Sequence, residues 1–178
     1  MVIGMKIECV KVGFLKCNCY LLIKNNNCLV LDPGDEADKI INMIGNRNVV
    51  GVLITHNHFD HVGCVKDLCD KYNIKSYDYY NLLEGLNKLG DFSFYVIHTL
   101  GHYKDCCTYY FKDEKVMFTG DFLFKGGIGR CDLSGGDYNL MLDSIDRIKK
   151  YDDDIIIYPG HGDSSVLGIE KKDNNYFK

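Results

Sequence analysis

One apolar run and the segment that follows it constrain the fold more than any other feature. Residues 49–54 are apolar apart from Gly51, as expected for a strand buried on both faces of a sheet. The chain then reads Thr55-His56-Asn57-His58-Phe59-Asp60-His61. A tight turn after a strand can direct His56 and His58 to one side, and Asp60 and His61 toward a neighbouring position. The segment therefore predicts two adjacent metal positions.

The other candidate ligands follow one rule, because each comes after a predicted strand and a glycine. His102 follows Gly101, Asp121 follows Gly120, and His161 follows Gly160. Glycine allows backbones to approach closely, so these side chains are expected to converge at the sheet edges. His98 ends its own strand, and we expect it to orient a ligand or to hydrogen-bond in the core.

The remaining pattern predicts strands and helices in a single α/β domain spanning residues 1–178. Strands are predicted at 5–13, 18–24, 28–31, 49–54, 92–97, 106–111, 115–118 and 155–158, with 18–31 and 106–118 as hairpins. Helices are predicted from a cap at Asp35 to about Gly45, from about 62 to 72, and from 137 to 151. The last helix is expected to turn Leu140, Met141, Ile145 and Ile148 inward.

The composition excludes several classes of protein. The chain has 178 residues, 46% of them hydrophobic, with a formal net charge of −4. It lacks an apolar run of about 18 residues and an apolar N-terminal segment, so a membrane span and a secretion signal are not expected and a cytoplasmic location is favoured. It also lacks a long Lys/Arg run, so nucleic acid and acidic membranes are not expected partners.

The nine cysteines predict no metal site of their own. Their number is odd and no C-x-x-C occurs, whereas a zinc knuckle needs closely spaced ligand pairs. We expect reduced, mostly buried thiols that pack as small apolar side chains.

The motifs together resemble those of the metallo-β-lactamase superfamily over essentially the whole chain. The resemblance is carried by T-H-N-H-F-D-H, by H-T-L-G-H ending at His102, by T-G-D ending at Asp121, and by P-G-H-G around His161. Further segments resemble the short, single-domain members of its glyoxalase II-like branch: 18–20, Asp32-Pro33-Gly34, 120–124, Gly129-Arg130 and 160–170. This resemblance implies an αββα sandwich with the site at one edge.

The resemblance also implies roles for seven residues. His56, His58 and His102 would bind a first metal, Asp60, His61 and His161 a second, and Asp121 would bridge the two. The cofactors would be two divalent ions, with zinc expected and iron or manganese also suited to imidazole and carboxylate ligands. The chain departs from the family beside the ligands, at Leu100, Tyr103, Asp105 and Cys106, which bears on pocket shape.

The activity implied is hydrolysis of a small thioester such as S-lactoylglutathione by water activated between the metals. Asp60 and Asp121 would be catalytic, and Arg130 is the candidate for binding an anionic part of the substrate. The C-terminal helical region with which glyoxalase II holds glutathione is not expected, because the chain ends soon after His161. The acyl and thiol parts of the substrate, the oligomeric state and the native metal are left open.

Two other functions fit the same residues. A persulfide dioxygenase would bind one iron through two histidines and a carboxylate, and its G-R-x-D segment is similar to residues 129–132. A non-catalytic metal-binding scaffold is disfavoured because all seven positions are filled. A lactonase or β-lactamase is a weaker alternative. Metal stoichiometry and oxygen uptake distinguish hydrolase from dioxygenase.

Overall fold

The computed structural model describes residues 4–178, which form two large β-sheets and five α-helices. The first sheet has the strand order β1-β2-β3-β4-β5. Its strands are β1 Lys6–Val12, β2 Cys17–Lys24, β3 Asn27–Leu31, β4 Asn48–Leu53 and β5 Ser76–Tyr77. Strands β1 to β3 pair antiparallel, which confirms the first predicted hairpin, and β4 and β5 join in parallel.

The second sheet has the strand order β13-β12-β9-β8-β7-β6. Its strands are β6 Gly85–Leu89, β7 Phe92–His98, β8 Cys107–Phe111, β9 Val116–Gly120, β12 Ile156–Pro159 and β13 Ser165–Val166. Strands β8 and β9 form the second predicted hairpin, and β12 pairs in parallel with β9. A small separate hairpin joins β10 Leu123–Phe124 to β11 Gly127–Ile128.

Helices α1, α3 and α4 lie in the predicted regions, with differences at their ends, whereas α2 and α5 were not predicted. They are α1 Ala37–Ile44, α2 Phe59–Val62, α3 Val65–Tyr72, α4 Tyr138–Ile148 and α5 Leu167–Asp173, followed by a 3-10 turn at Asn175–Phe177. The predicted helix at 62–72 is therefore α3 preceded by a separate turn of helix, α2. That short helix carries Asp60 and His61.

Two predictions about helices are wrong. Asp35 does not cap α1, because the residue before the helix is Glu36 in a left-handed conformation, and the Asp35 carboxylate accepts a hydrogen bond from the Glu36 amide. Leu140 is 40% exposed, because α4 buries the stripe of Met141, Ser144, Ile145 and Ile148. Leu140 lies outside that stripe, one residue before Met141.

Three apolar layers confirm the αββα arrangement. Alternate residues of the first sheet, such as Leu22 and Leu29, pack between the sheets against Phe94 and Phe118. Their neighbours Leu21 and Val30 pack on the opposite face, where α1 and α3 contribute Ile40, Ile44 and Leu68. Met117 and Ile157 of the second sheet pack outward against α4 and α5, represented by Ile145 and Leu167. Each sheet is thus buried on both faces.

The nine cysteines, all within residues 4–178, are free thiols, and six of them are buried as expected. None of the helices in this part of the chain is long and apolar enough to span a bilayer.

Candidate metal centre

The seven predicted ligands lie together where strands of both sheets end. His56 and His58 follow β4, Asp60 and His61 lie in α2, His102 follows β7, Asp121 follows β9, and His161 follows β12. The distances between their donor atoms divide them into two groups.

The first group, called the imidazole group, consists of His56, His58 and His102. The Nε2 atoms of His56 and His102 each lie 3.0 Å from Nδ1 of His58. Three ring nitrogens therefore converge on one point, and all lie within 4.8 Å of one another. This is the kind of donor set that holds a zinc or iron ion.

The second group, called the mixed group, consists of Asp60, His61 and His161. Oδ2 of Asp60 lies 3.1 Å from Nε2 of His161 and 3.7 Å from Nε2 of His61. Carboxylate oxygen and imidazole nitrogen together suit zinc, iron or manganese.

Asp121 lies between the two groups. Its Oδ1 is 3.4 Å from Nε2 of His61, and its Oδ2 is 3.8 Å from Nε2 of His102 and 3.6 Å from Nε2 of His161. The His56 and His61 rings also lie close, with centroids 4.1 Å apart. One carboxylate can therefore reach donors of both groups.

Two buried atoms of this cluster test whether the residues fit a cation. Nε2 of His61 and Oδ1 of Asp121 are buried, and neither makes a hydrogen bond to any residue from 4 to 178. A buried polar atom without a partner costs about 1–3 kcal/mol. Both atoms point into the cluster, where a divalent cation would satisfy them, so the residues present fit the metal.

The outer ring nitrogens have acceptors that hold each imidazole in place. In the imidazole group, Nδ1 of His56 lies 3.1 Å from the Thr55 hydroxyl, and Nδ1 of His102 lies 2.8 Å from the Arg130 carbonyl. In the mixed group, Nδ1 of His61 lies 3.0 Å from Asp32, and Nδ1 of His161 lies 3.0 Å from the Leu15 carbonyl. An N–H that donates outward leaves the Nε2 lone pair pointing inward. The four rings are therefore oriented for coordination.

Asp32 contacts the candidate ligands, and sequence reasoning did not assign it to the site. It is fully buried, accepts hydrogen bonds from the Thr55 amide and hydroxyl, and accepts one from His61. Its position at the end of the buried strand β3 was the available signal. Burial alone would lower the pKa of His61, and the adjacent Asp32 carboxylate raises that pKa well above its usual value.

The sequence analysis also gave no role to Asn18 and Tyr20. Both side chains hold the loop that carries His161. The Asn18 side chain donates to the carbonyls of Pro159 and Gly162, and the Tyr20 hydroxyl donates to the Pro159 carbonyl. They act on the site only through the position of this loop.

The ionisation of several groups follows from burial and from their neighbours. Burial and the surrounding imidazoles hold the pKa of His56 well below its usual value, so the ring is neutral, as a ligand must be. The pKa of His58 is lowered for the same reasons, burial first. Burial would raise the pKa of Asp60, but the hydrogen bond from His161 lowers it, and the same bond raises the pKa of His161.

Cys17 lies beside the mixed group without belonging to the predicted ligands. Its Sγ is 3.6 Å from Nδ1 of His61, on the outer side of that ring. Burial raises the pKa of this thiol to about 11. Cys17, His61 and His161 each offer a donor atom within 4.8 Å of the others, so Cys17 is a further candidate donor beside the mixed group.

The glycines before the ligands confirm the expected close approaches. A Cβ on Gly160 would lie 2.3 Å from Oδ1 of Asp121 and 2.7 Å from Cε1 of His61. A Cβ on Gly120 would lie 2.4 Å from the Thr55 hydroxyl. Any side chain at these positions would push the donor groups apart.

The departures from the family pattern contact the histidine loop. The Tyr103 ring packs on His58 with centroids 4.3 Å apart, and the buried Asp105 carboxylate accepts hydrogen bonds from the amide and side chain of Asn57. Leu100 contributes its carbonyl, which accepts a hydrogen bond from Ser144 in α4.

The His98 ring lies apart from the donor groups, and the expectation that it orients a ligand or hydrogen-bonds in the core is wrong. The ring packs on Tyr79, with ring centroids 4.3 Å apart, and its buried Nε2 makes no hydrogen bond to any residue from 4 to 178. Arg130 contacts His102 through its carbonyl only. The Arg130 guanidinium is exposed and makes two hydrogen bonds of 2.9 Å to the Asp132 carboxylate. Arg130 nevertheless lines a cavity of about 430 Å³ together with His58, Asp60, His102, Asp121 and His161.

Known proteins are similar to this chain in fold and in sequence. The family model of the metallo-β-lactamase superfamily matches residues 12–84 and 80–161. The hydroxyacylglutathione hydrolase GloC of Haemophilus influenzae is 31% identical over 97% of this chain and 98% of its own. Among solved structures, the B3 metallo-β-lactamase BLEG-1 matches with a TM-score of 0.93 and 29% identity over 97% of this chain and 100% of that chain. TTHA1623 in a di-iron-bound form matches with a TM-score of 0.89 and 28% identity over 95% and 99%.

These matches span nearly the whole chain, and the fold and donor clusters agree with them. The chain belongs to the metallo-β-lactamase superfamily and is a metal-dependent hydrolase of that family.

Proposed function

We propose that this protein hydrolyses a small thioester with two divalent cations, as glyoxalase II-like enzymes do. The observation that carries the proposal is the position of Asp121, whose two carboxylate oxygens face different donor groups. His56, His58 and His102 would hold one cation, and Asp60, His61 and His161 the other. Asp121 would contact both, and zinc is the metal we expect, with iron or manganese as alternatives.

The nucleophile in this proposal is water, because the side chains that line the described cavity include no serine or cysteine. When bound, two adjacent divalent cations supply an activated water at neutral pH and polarise the carbonyl of the substrate. Oδ2 of Asp60 lies at the cavity wall, 3.1 Å from Nε2 of His161, where it can also accept a hydrogen bond from that water and orient it.

The leaving group needs little help from the protein. A thiol has a pKa of about 8.5, so the thiolate can leave without first taking a proton. Thioester chemistry is also supported by the name of the GloC relative, a hydroxyacylglutathione hydrolase.

The experiment is metal analysis of protein purified without added metal, paired with an assay of S-lactoylglutathione hydrolysis on the same sample. We expect about two metal equivalents and release of free glutathione. One tightly bound iron with oxygen uptake would instead indicate a persulfide dioxygenase. Two equivalents without cleavage of any thioester or ester would overturn the hydrolase proposal. A cytoplasmic location and a small-molecule partner stay predictions.

A further inference from the structure

Three apolar side chains border the cavity that contains the donor groups. Leu15, Phe59 and Leu133 line it, and they are 47%, 75% and 46% exposed. They come from three separate segments: the turn between β1 and β2, the start of α2, and the loop before α4. Exposed apolar side chains that gather around one cavity mark a surface that a ligand covers.

Two of these side chains belong to segments that contain or contact the candidate ligands. The Leu15 carbonyl is the acceptor for Nδ1 of His161, and Phe59 lies between His58 and Asp60 in the chain. Leu133 begins a turn that is closed by the hydrogen bond from the Gly136 amide to its carbonyl. All three side chains line the same cavity as the donor groups, where the acyl group of a bound substrate would lie.

The lining of the cavity is mostly apolar outside the candidate ligands. It contains three apolar side chains and one polar side chain, Arg130. The Arg130 guanidinium donates two hydrogen bonds to Asp132, on the exposed side of the cavity. An apolar acyl group therefore has more of this surface to pack against than a hydroxyl group has polar partners.

We propose that the preferred substrate is a thioester with an apolar acyl group, which packs against Leu15, Phe59 and Leu133, rather than a hydroxyacyl group. This inference rests on the proposed thioester hydrolysis and names the class of acyl group. The thiol part of the substrate then extends away from this surface.

The test is a series of straight-chain S-acylglutathiones from acetyl to octanoyl, with S-lactoylglutathione as the hydroxyacyl member, assayed with a thiol-reactive dye. We expect kcat/KM to rise by about threefold per methylene over the first few carbons, because each buried methylene adds to binding. The same series on N-acetylcysteamine should give the same slope, since the thiol does not contact the apolar surface.

Two variants test whether Leu133 and Phe59 cause the dependence of kcat/KM on acyl chain length. Leu133→Ser and Phe59→Ser should flatten the chain-length slope while acetyl thioester is still cleaved. The matched control is Leu83→Ser, which changes an 84% exposed leucine outside the cavity and should keep the wild-type slope. Folding is checked by circular dichroism, and metal content is measured for each variant.

The outcomes separate the two proposals. Cleavage with no dependence on chain length, or with lactoyl preferred over acyl groups of equal length, would overturn the apolar-acyl inference and leave thioester hydrolysis standing. A slope that survives both variants would also overturn it. No cleavage of any thioester by metal-loaded protein would overturn the proposed function itself.

Discussion

The imidazole group and the mixed group differ in charge and in what supports them. The imidazole group contributes three rings and no carboxylate, and two of its rings, His56 and His102, are oriented by the Thr55 hydroxyl and the Arg130 carbonyl. The mixed group includes the Asp60 carboxylate, and its His61 is backed by the buried carboxylate of Asp32. A carboxylate behind an imidazole makes the ring a more basic ligand than a carbonyl does.

This difference teaches that the two positions depend on supports that overlap only in part. Asp32 contacts His61 of the mixed group directly, and it reaches His56 of the imidazole group only through the Thr55 hydroxyl. The Arg130 carbonyl supports the imidazole group alone. A substitution in one support should therefore weaken one position more than the other, whereas loss of Asp121, which faces both groups, should weaken the two together.

Asp121→Ala should have the largest effect, because it should weaken metal binding at both groups together. Loss of its carboxylate leaves both groups without their shared donor, so we expect less bound metal and a fall in kcat/KM of more than about 1,000-fold. Metal analysis and thioester hydrolysis on the same sample measure both. A fully active variant that keeps all its metal would contradict the site.

Asp32→Asn should weaken the mixed group more than the imidazole group. An asparagine NH2 in place of Oδ2 cannot accept the proton of His61 Nδ1, so that ring places its proton on Nε2 and loses its inward lone pair. We expect about 10- to 100-fold weaker binding of one metal equivalent, and a smaller loss for the other because Asp32 acts on His56 only through the Thr55 hydroxyl. Competition titration with a chelator dye measures both affinities.

The matched control for that variant is Asp143→Asn, which changes an exposed carboxylate on α4. It should bind both equivalents as the wild type does. Equal loss of both equivalents in Asp32→Asn, with a normal unfolding temperature, would show that the positions are not separately supported.

Glu170→Gln should have a smaller effect, confined to the imidazole group. Glu170 is 2% exposed, and its carboxylate accepts hydrogen bonds from the Gly126 amide, Asn174 and Ser165. The segment that begins at Gly126 leads to Arg130, whose carbonyl orients His102. A glutamine can satisfy only part of this set, so we expect about 1–3 kcal/mol less unfolding free energy and a loss of a few-fold in affinity for one equivalent.

Urea denaturation and the same chelator titration measure these two effects. Glu8→Gln is the control, because Glu8 makes only surface ion pairs with Lys6 and Arg47, which contribute little to stability. An unchanged unfolding free energy for Glu170→Gln would refute the role of this buried network.

Cys17→Ala should have the smallest effect on the site. The thiol faces the outer nitrogen of His61, away from the Nε2 that faces Asp60 and Asp121, so its loss should leave both metal equivalents bound and kcat/KM within about twofold. A small loss of unfolding free energy, about 1 kcal/mol, is expected from the cavity left behind. Loss of one metal equivalent would instead make Cys17 a ligand.

Much of the fold was predictable because its signals are local. Strands β2 and β3 and the run at β4 are apolar stretches ended by turn residues, and α4 has a helical period. The errors are also local in origin. Asp35 stands one residue too early to cap α1, and Leu140 is apolar but faces away from the sheet. Periodicity indicates a helix more reliably than it indicates which apolar side chains are covered.

The strands at 76–77 and 85–89 had no clear pattern in the sequence. Strand β5 has two residues, and β6 lies at the edge of its sheet with Leu86 exposed. Such strands are formed by pairing with a neighbour that is already in place, so their own residues carry little signal.

The sequence by itself determined which residues could bind metal, because a strand, a glycine and a ligand side chain are neighbours in the chain. Only the tertiary structure decided how those ligands are held. Asp32 meets His61 across 29 residues, and the Leu15 carbonyl meets His161 across 146. The apolar border of the cavity likewise joins three distant segments. Contacts of this kind arise from the packing of two sheets, and no local pattern records which side chains that packing brings together.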